Sequence, residues 1–334
     1  MQRIYFILNL VAGKALIAKK LGGIIDEFVK ADFEVTVHTT QSGEDAVTAA
    51  QYACSSGFDI LVCAGGDGTL SQCLQGVMRS ENHIPIGYIP AGSTNDFARS
   101  LGIPKNTMAA VRNIINGTPT SFDVGGINDD YFTYIAAFGA FTNITYETSQ
   151  QVKNIFGHAA YILNGLTQLT SIRSSRMKIE YDDTVIEDDF LFGMVTNTSS
   201  VAGLLSISDF RLDDGVFEVV LIKKPSNIIQ LQQIIHSLLN INEEINKEYI
   251  KFFRTNKITF TSLGEEPVTW TRDGEYGGNS PVTSIFNYNK AVSFIVSDNA
   301  VPDDESSDDT EEYDYEISNA DESENDSEND SEAE

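Results

Sequence analysis

Short apolar runs alternate with stretches of helical spacing through the first third of the chain. Arg3 to Leu8, Phe33 to His38, Ile60 to Cys63 and Ile86 to Ile89 are rich in β-branched and aromatic residues. Together they are too apolar to be one-sided, which predicts strands covered on both faces. Between and after them, Ala15 to Lys30, Glu44 to Ser55, Leu70 to Met78 and Met108 to Asn116 carry the spacing of amphipathic helices. Ser42 with Asp45 three residues later is a capping arrangement at a helix start. The alternation predicts a doubly wound α/β domain over residues 1–125, built on a parallel sheet. In that architecture ligands bind beyond the carboxyl ends of the strands.

From Tyr131 the texture changes. Met177 to Tyr181, Asp189 to Thr196, Phe217 to Ile222, Lys257 to Thr261 and Val292 to Val296 are β-rich runs separated by turn residues. Helical spacing interrupts them only near Ile155 to Leu169 and Ile228 to Leu239. An antiparallel β-sandwich domain over 126–297 is predicted.

Charge changes the picture at the C-terminus. The chain carries a formal net charge of −27, but residues 298–334 hold 18 acidic residues and no Lys or Arg. The rest has 31 acidic against 22 basic residues, a net of −9. Residues 298–334 therefore read as a disordered, solvating acidic tail. The mildly acidic remainder has no basic stripe, which argues against nucleic acid as a partner. Cys54, Cys63 and Cys73 have no metal-ligand spacing and read as buried small hydrophobes in a reducing cytoplasm. The apolar N-terminus is broken by Asn9 and leads into a helical pattern, so it reads as a first strand rather than a signal peptide. No segment reaches the ~18 to 20 apolar residues of a membrane span, so a soluble protein is expected.

Three blocks carry candidate chemistry. Ala64-Gly65-Gly66-Asp67-Gly68-Thr69-Leu70 follows a buried strand; its glycines let backbone N–H groups approach phosphate oxygens, and the helix beyond adds its positive end. Pro90-Ala91-Gly92-Ser93-Thr94-Asn95-Asp96-Phe97-Ala98 repeats the strand-to-turn design. Far downstream comes Thr271-Arg272-Asp273-Gly274-Glu275-Tyr276. Asp-Gly alone is a common hairpin turn. There is no Gly-x-x-x-x-Gly-Lys-Ser/Thr pattern, so Gly13-Lys14 is not a P-loop.

In this order the three blocks resemble the diacylglycerol kinase catalytic family, in particular its soluble bacterial lipid kinases, over roughly residues 1–297. The resemblance implies an N-terminal nucleotide-binding domain, a β-sandwich lipid-binding domain and an active site between them. It implies ATP contacts from Asn9, Gly13, Thr40, Gly65, Gly66, Gly68, Thr69 and Thr94, with Asp67 supporting Mg-ATP. Asp273 is implied as general base and Glu275 as its supporting carboxylate. The Arg211-Leu212-Asp213-Asp214-Gly215-Val216 loop resembles one that holds Mg²⁺, with the Asp214 carboxylate and the Arg211 and Val216 carbonyls as ligands. Lys14, Asp96 and Asp123 resemble the residues that join that metal to the active site through water.

The implied activity is Mg-ATP-dependent phosphorylation of a hydroxyl on diacylglycerol or a similar lipid, giving a phosphatidate-type product. The enzyme would be cytoplasmic and peripheral to the inner membrane face, with a homodimer admitted. Ser71-Gln72 departs from the family's commoner Asn-Glu, which keeps open a nucleotide- or lipid-binding regulatory protein. An NAD kinase shares the Gly-Gly-Asp-Gly element and is a further alternative, against which Asp273-Gly274-Glu275 and the β-rich half stand.

Overall fold

The computed structural model describes residues 1–10, 12, 16–92, 95–139, 174–197, 200–201, 205–206, 211–239 and 248–297. The expected helix Ile155 to Leu169 and the tail 298–334 lie outside the described residues. The chain begins β1 (Gln2–Leu8), α1 (Leu16–Lys30), β2 (Phe33–Thr39), α2 (Gly43–Ser55), β3 (Ile60–Gly65), α3 (Asp67–Met78), β4 (Ile86–Pro90), α4 (Asp96–Ser100) and α5 (Thr107–Asn116). These follow the expected order, with α4 added and α3 starting three residues early at Asp67. Strands β1, β3 and β4 are buried almost throughout because helices cover both faces.

All pairings within this half are parallel, in the order β4-β3-β1-β2. From β1 the chain steps outward to β2 and then returns past β1 to β3, so the order reverses between β1 and β3. The crevice at such a reversal is where open α/β sheets bind ligands. Asn9 stands directly after β1 there, its N–H donating to the Ala64 carbonyl of β3 (3.0 Å).

The second half is antiparallel: β5 (Thr118–Ile127), β6 (Asp130–Phe132), β7 (Ile135–Gly139), β8 (Ser175–Tyr181), β9 (Thr184–Thr196), β10 (Ser200–Val201), β11 (Leu205–Ser206), β12 (Phe217–Lys223), α6 (Ile228–Leu239), β13 (Ile250–Thr255), β14 (Lys257–Ser262), β15 (Val268–Arg272), β16 (Glu275–Ser280) and β17 (Val282–Val296). Its core is centred on Trp270, with Phe138 and Phe260 at 4.9 and 4.8 Å between ring centroids. Burying aromatic side chains of this size contributes roughly 2–3 kcal/mol each.

The two halves are continuous. Strand β17 pairs with β14 and β5, and its end runs beside β4 at Phe294 and Ile86. Ile285 lies in the β core, whereas Val292, Phe294 and Ile295 lie in the α/β core. The expected boundary at 125/126 falls inside β5, which is the partner of β17 along this passage.

Candidate active site

A polar cleft of about 400 Å³ opens at the β1/β3 reversal. It is lined by Asn9, Thr40, Gly66, Gly68, Thr69 and Glu275 from the expected set, joined by Gln41, Ser42, Gly43, Gln72 and Gly92. Among the described residues the lining contains no Lys or Arg. The polar groups that the cleft offers from its glycine loops are backbone N–H groups. Gly66 is the N-cap of α3 and supplies no side-chain acceptor, so the first-turn N–H groups have no side-chain cap, the arrangement that suits an anion.

Two glycine loops meet back to back. A Cβ on Gly92 would lie 2.7 Å from the Cα of Gly66, so only glycine allows this approach. Asn95 closes the second loop: its Oδ1 accepts from Gly92 N (2.9 Å) and its Nδ2 donates to Gly92 O (2.9 Å). It holds a left-handed φ of 51°, which Asn tolerates. The buried Tyr88 hydroxyl donates to Gly65 O at 3.2 Å, and burial pushes its pKa well up, so it stays a donor. Asn9 ties β1 to α3, with Nδ2 donating to Thr69 Oγ1 at 3.0 Å. The Asp67 carboxylate accepts from Phe97 N at 3.4 Å and so connects the two loops. The Ser42 cap also forms, its hydroxyl accepting from Asp45 N (3.2 Å), while Asp45 turns to Gln41 N (2.8 Å).

Asp273 and Gly274 both have positive φ, 47° and 84°, as a primed two-residue hairpin turn between β15 and β16 requires. The hairpin reading of Asp-Gly is thus correct, and the carboxylate still has a separate task. It is buried against β6 and β7. Oδ2 accepts from Thr133 N (2.7 Å), Thr133 Oγ1 (2.9 Å) and Ser71 Oγ (3.5 Å). Oδ1 accepts from Tyr134 N (3.0 Å) and Ile135 N (3.2 Å). Burial raises its pKa, opposed by the three backbone N–H groups and the Thr133 hydroxyl, and the net direction is upward. Glu275, at the other side of the turn, faces α3; a Cβ on Gly68 would lie 2.5 Å from its Oε1.

Asp123 is buried and fully engaged. Oδ2 accepts from Gly215 N (2.6 Å) and Asn287 Nδ2 (3.3 Å), and Oδ1 from Lys290 N (2.8 Å) and Asn289 Nδ2 (3.0 Å). It pins the 211–216 loop to the bulge in β17. Asp214 is exposed, with Oδ1 accepting from Val216 N at 3.2 Å. The Arg211 guanidinium pairs with Asp213 (3.0 Å). Among the described residues no three His, Cys, Asp or Glu side chains cluster around a point. The expected set instead combines one carboxylate with two carbonyls, hard oxygens of the kind Mg²⁺ takes. Beside it Asn287 Oδ1 is buried without a partner, an acceptor suited to a cation's water shell. The residues present fit the metal.

The fold thus brings Asn9, Thr40, Gly66, Gly68, Thr69 and Glu275 to one cleft. Gly65 and Asp67 adjoin the cleft without lining it, and Asp273 lies in the hairpin turn, its carboxylate beside α3. Asp123, Arg211, Asp214 and Val216 form a separate group, joined toward Asp273, among the described residues, through Asn197 and Tyr134. Gly13, Lys14, Thr94 and the side chain of Asp96 lie outside the described residues. Sequence reasoning missed Thr133, Tyr88 and Gln75. Of these only Gln75 left a signal, falling four residues after Ser71 on one face of α3.

A reversal-point cleft between glycine loops, set against a β layer that supplies a buried carboxylate, is an arrangement suited to phosphoryl transfer. Residues 3–127 match the diacylglycerol kinase catalytic domain, and residues 136–294 match the YegS C-terminal NAD kinase beta sandwich-like domain. A diacylglycerol kinase of Bacillus subtilis (strain 168) is 34% identical over 283 residues, covering 84% of this chain and 92% of the relative. One from Staphylococcus saprophyticus is 34% identical over 281 residues, covering 84% and 91%. A crystal structure of a diacylglycerol kinase from Bacillus anthracis str. Sterne has the same fold, with a TM-score of 0.69 over 90% of this chain and 98% of that one, at 23% identity. The chain belongs to the diacylglycerol kinase family of lipid kinases. No helix among its described residues is long and apolar enough to cross a membrane.

Proposed function

We propose that this chain transfers the γ-phosphoryl group of ATP to the hydroxyl of diacylglycerol or a similar lipid at the inner membrane face, giving a phosphatidate-type product. The carrying observation is the β15–β16 hairpin. Its turn holds Asp273 against Thr133 to Ile135, while Glu275 two residues on lines the cleft beside Gly68. One tight turn therefore serves the phosphate loop and the proton acceptor together.

In this reading Gly66, Gly68 and Thr69 at the start of α3 hold the triphosphate, and Thr40 to Gly43 face the outer end of the nucleotide. Asp273 takes the proton of the lipid hydroxyl as its oxygen bonds to the γ-phosphorus and the bond to the ADP oxygen breaks. The Ser71 hydroxyl, at 3.5 Å, is the most distant of the five donors and the weakest hold on Oδ2. Asp214 with the Arg211 and Val216 carbonyls would hold Mg²⁺. When bound, that ion supplies positive charge that fixes the 211–216 loop and, through Asp123, the β17 bulge.

The competing reading, a nucleotide-binding regulatory protein, draws on the full complement of donors around Asp273. Incubation with labelled ATP, Mg²⁺ and diacylglycerol in detergent micelles, followed by product identification, decides. Label in phosphatidate supports the kinase; ATP bound without label in any lipid supports the regulator.

A further inference from the structure

Helix α3 begins as the phosphate-binding loop and runs on as a docking strip. Gly68, Ser71, Gln75 and Arg79 lie three, four and four residues apart, which places them on one face. Each meets the β layer. Gly68 faces Glu275, and Ser71 faces Asp273. Gln75 Nε2 donates to the Tyr131 carbonyl (2.5 Å) and its Oε1 accepts from Tyr131 N (3.2 Å). Arg79 Nη2 donates to Asp130 Oδ1 (2.7 Å).

Gln75 is the central contact and the most constrained. It is 4% exposed, and its amide forms a two-bond pair with the backbone of β6. Two residues after Tyr131, Thr133 begins the run of N–H groups that hold Asp273. Arg79 is partly exposed, and its ion pair with Asp130 is worth little once screened. Ser71 is at the limit of hydrogen-bond length. Gln75 is therefore the directional, buried link between α3 and the segment whose N–H groups hold the Asp273 carboxylate.

We infer that Gln75 is a positioning residue for phosphoryl transfer, setting the register of α3, and with it the γ-phosphate, against Asp273. It touches neither substrate. The inference rests on the kinase reading above. In-line transfer is sensitive to distance, and a displacement of about 1 Å lowers rates by roughly 10²-fold. The nucleotide contacts themselves, at the opposite end of α3 and on Gly92, do not depend on Gln75.

The test uses the full chain with Gln75→Leu, which keeps volume and helix propensity but removes both hydrogen bonds. Turnover with ATP and diacylglycerol micelles is measured well below the variant's melting temperature, alongside ATP affinity by calorimetry. Turnover is expected to fall about 10- to 100-fold with ATP affinity within about threefold of wild type. A purely structural role would lower the melting temperature and leave turnover per folded molecule unchanged; turnover within twofold of wild type overturns the inference. Should Gln75→Leu fail to fold, Gln75→Glu is the second variant. Assayed with its carboxyl ionised, at the alkaline end of the pH–rate profile, it still accepts from Tyr131 N but cannot donate to the Tyr131 carbonyl, so a smaller loss of turnover with ATP affinity retained is expected there. Unchanged turnover in Gln75→Glu would likewise overturn it. Wild-type protein that binds ATP and labels no lipid defeats the kinase reading and the inference with it, an outcome visible before any variant is made.

Discussion

Thr133 donates both its backbone N–H and its hydroxyl to Oδ2 of Asp273, at 2.7 and 2.9 Å, from 140 residues away in the chain. With Tyr134 and Ile135 on the other oxygen, the carboxylate is held in one orientation before any substrate arrives. Three backbone donors cannot reverse their direction. That rigidity distinguishes Asp273 from an ordinary turn residue and bears directly on its substitution.

Asp273→Asn should lower turnover roughly 10²- to 10⁴-fold, since the amide cannot accept the lipid proton. The fold will not be untouched. Asn suits the primed turn as well as Asp, but its NH₂ must face backbone N–H groups on one side or the other. An opposed donor pair costs about 1–3 kcal/mol, so the melting temperature should fall as well. ATP affinity should stay within a few-fold. Retained turnover in a folded Asp273→Asn protein would reduce Asp273 to a turn residue.

Thr133→Val should move the acid limb of the pH–rate profile upward. Burial raises the Asp273 pKa above the ordinary 3.8, and the Thr133 hydroxyl works against burial by stabilising the charged form. Removing that hydroxyl leaves the three backbone donors and lets the pKa rise further. A base must be ionised to act, so kcat/KM should fall more at pH 6 than at pH 8. Equal losses at both pH values would separate Asp273 from the titrating group.

Most of the α/β half was legible because its strands are buried on both faces and their apolar runs need no partner to be recognised. Ser42 and Asp45 announced α2 in the same local way. The strands of the second half left weaker traces. Strand β16, Glu-Tyr-Gly-Gly-Asn-Ser, has no apolar face and exists because β15 supplies its hydrogen bonds. Strand β5 opens with Thr-Pro and ends in Gly-Gly-Ile; pairing with β17 overrides its composition. The site divides along the same line. Glycine loops are local and could be read from their residues, whereas the cradle of Asp273 joins residues separated by 138 to 202 positions. No local pattern marks Thr133.

Asp214→Ala should abolish Mg²⁺-dependent stabilisation. In chelator the variant loses only an exposed turn hydrogen bond to Val216 N, worth about 0.5–1 kcal/mol. With Mg²⁺ the wild type should gain melting temperature as ligand binding requires, and the variant should not. Asp123 should continue to hold Gly215 in both. An Mg²⁺-induced shift of equal size in the two proteins would move the metal elsewhere.

Gly92→Ala should damage the cleft more than Gly66→Ala damages the fold. The Cβ at 92 would lie 2.7 Å from the Gly66 Cα and 2.8 Å from Asn95 Oδ1, so two rigid groups must move. The Cβ at 66 meets Gly92 Cα at 3.3 Å, a contact that a few tenths of an ångström relieve. Overpacking of the first kind costs about 1–3 kcal/mol. Because Asn95 closes the second loop through Gly92, its displacement also opens the loop that backs Gly66. Gly92→Ala should therefore have the lower melting temperature of the two and bind ATP at least about tenfold more weakly than wild type. Calorimetry of both variants at one temperature checks the order. A Gly92→Ala protein as stable as Gly66→Ala, with ATP affinity intact, would show that the two loops do not constrain each other.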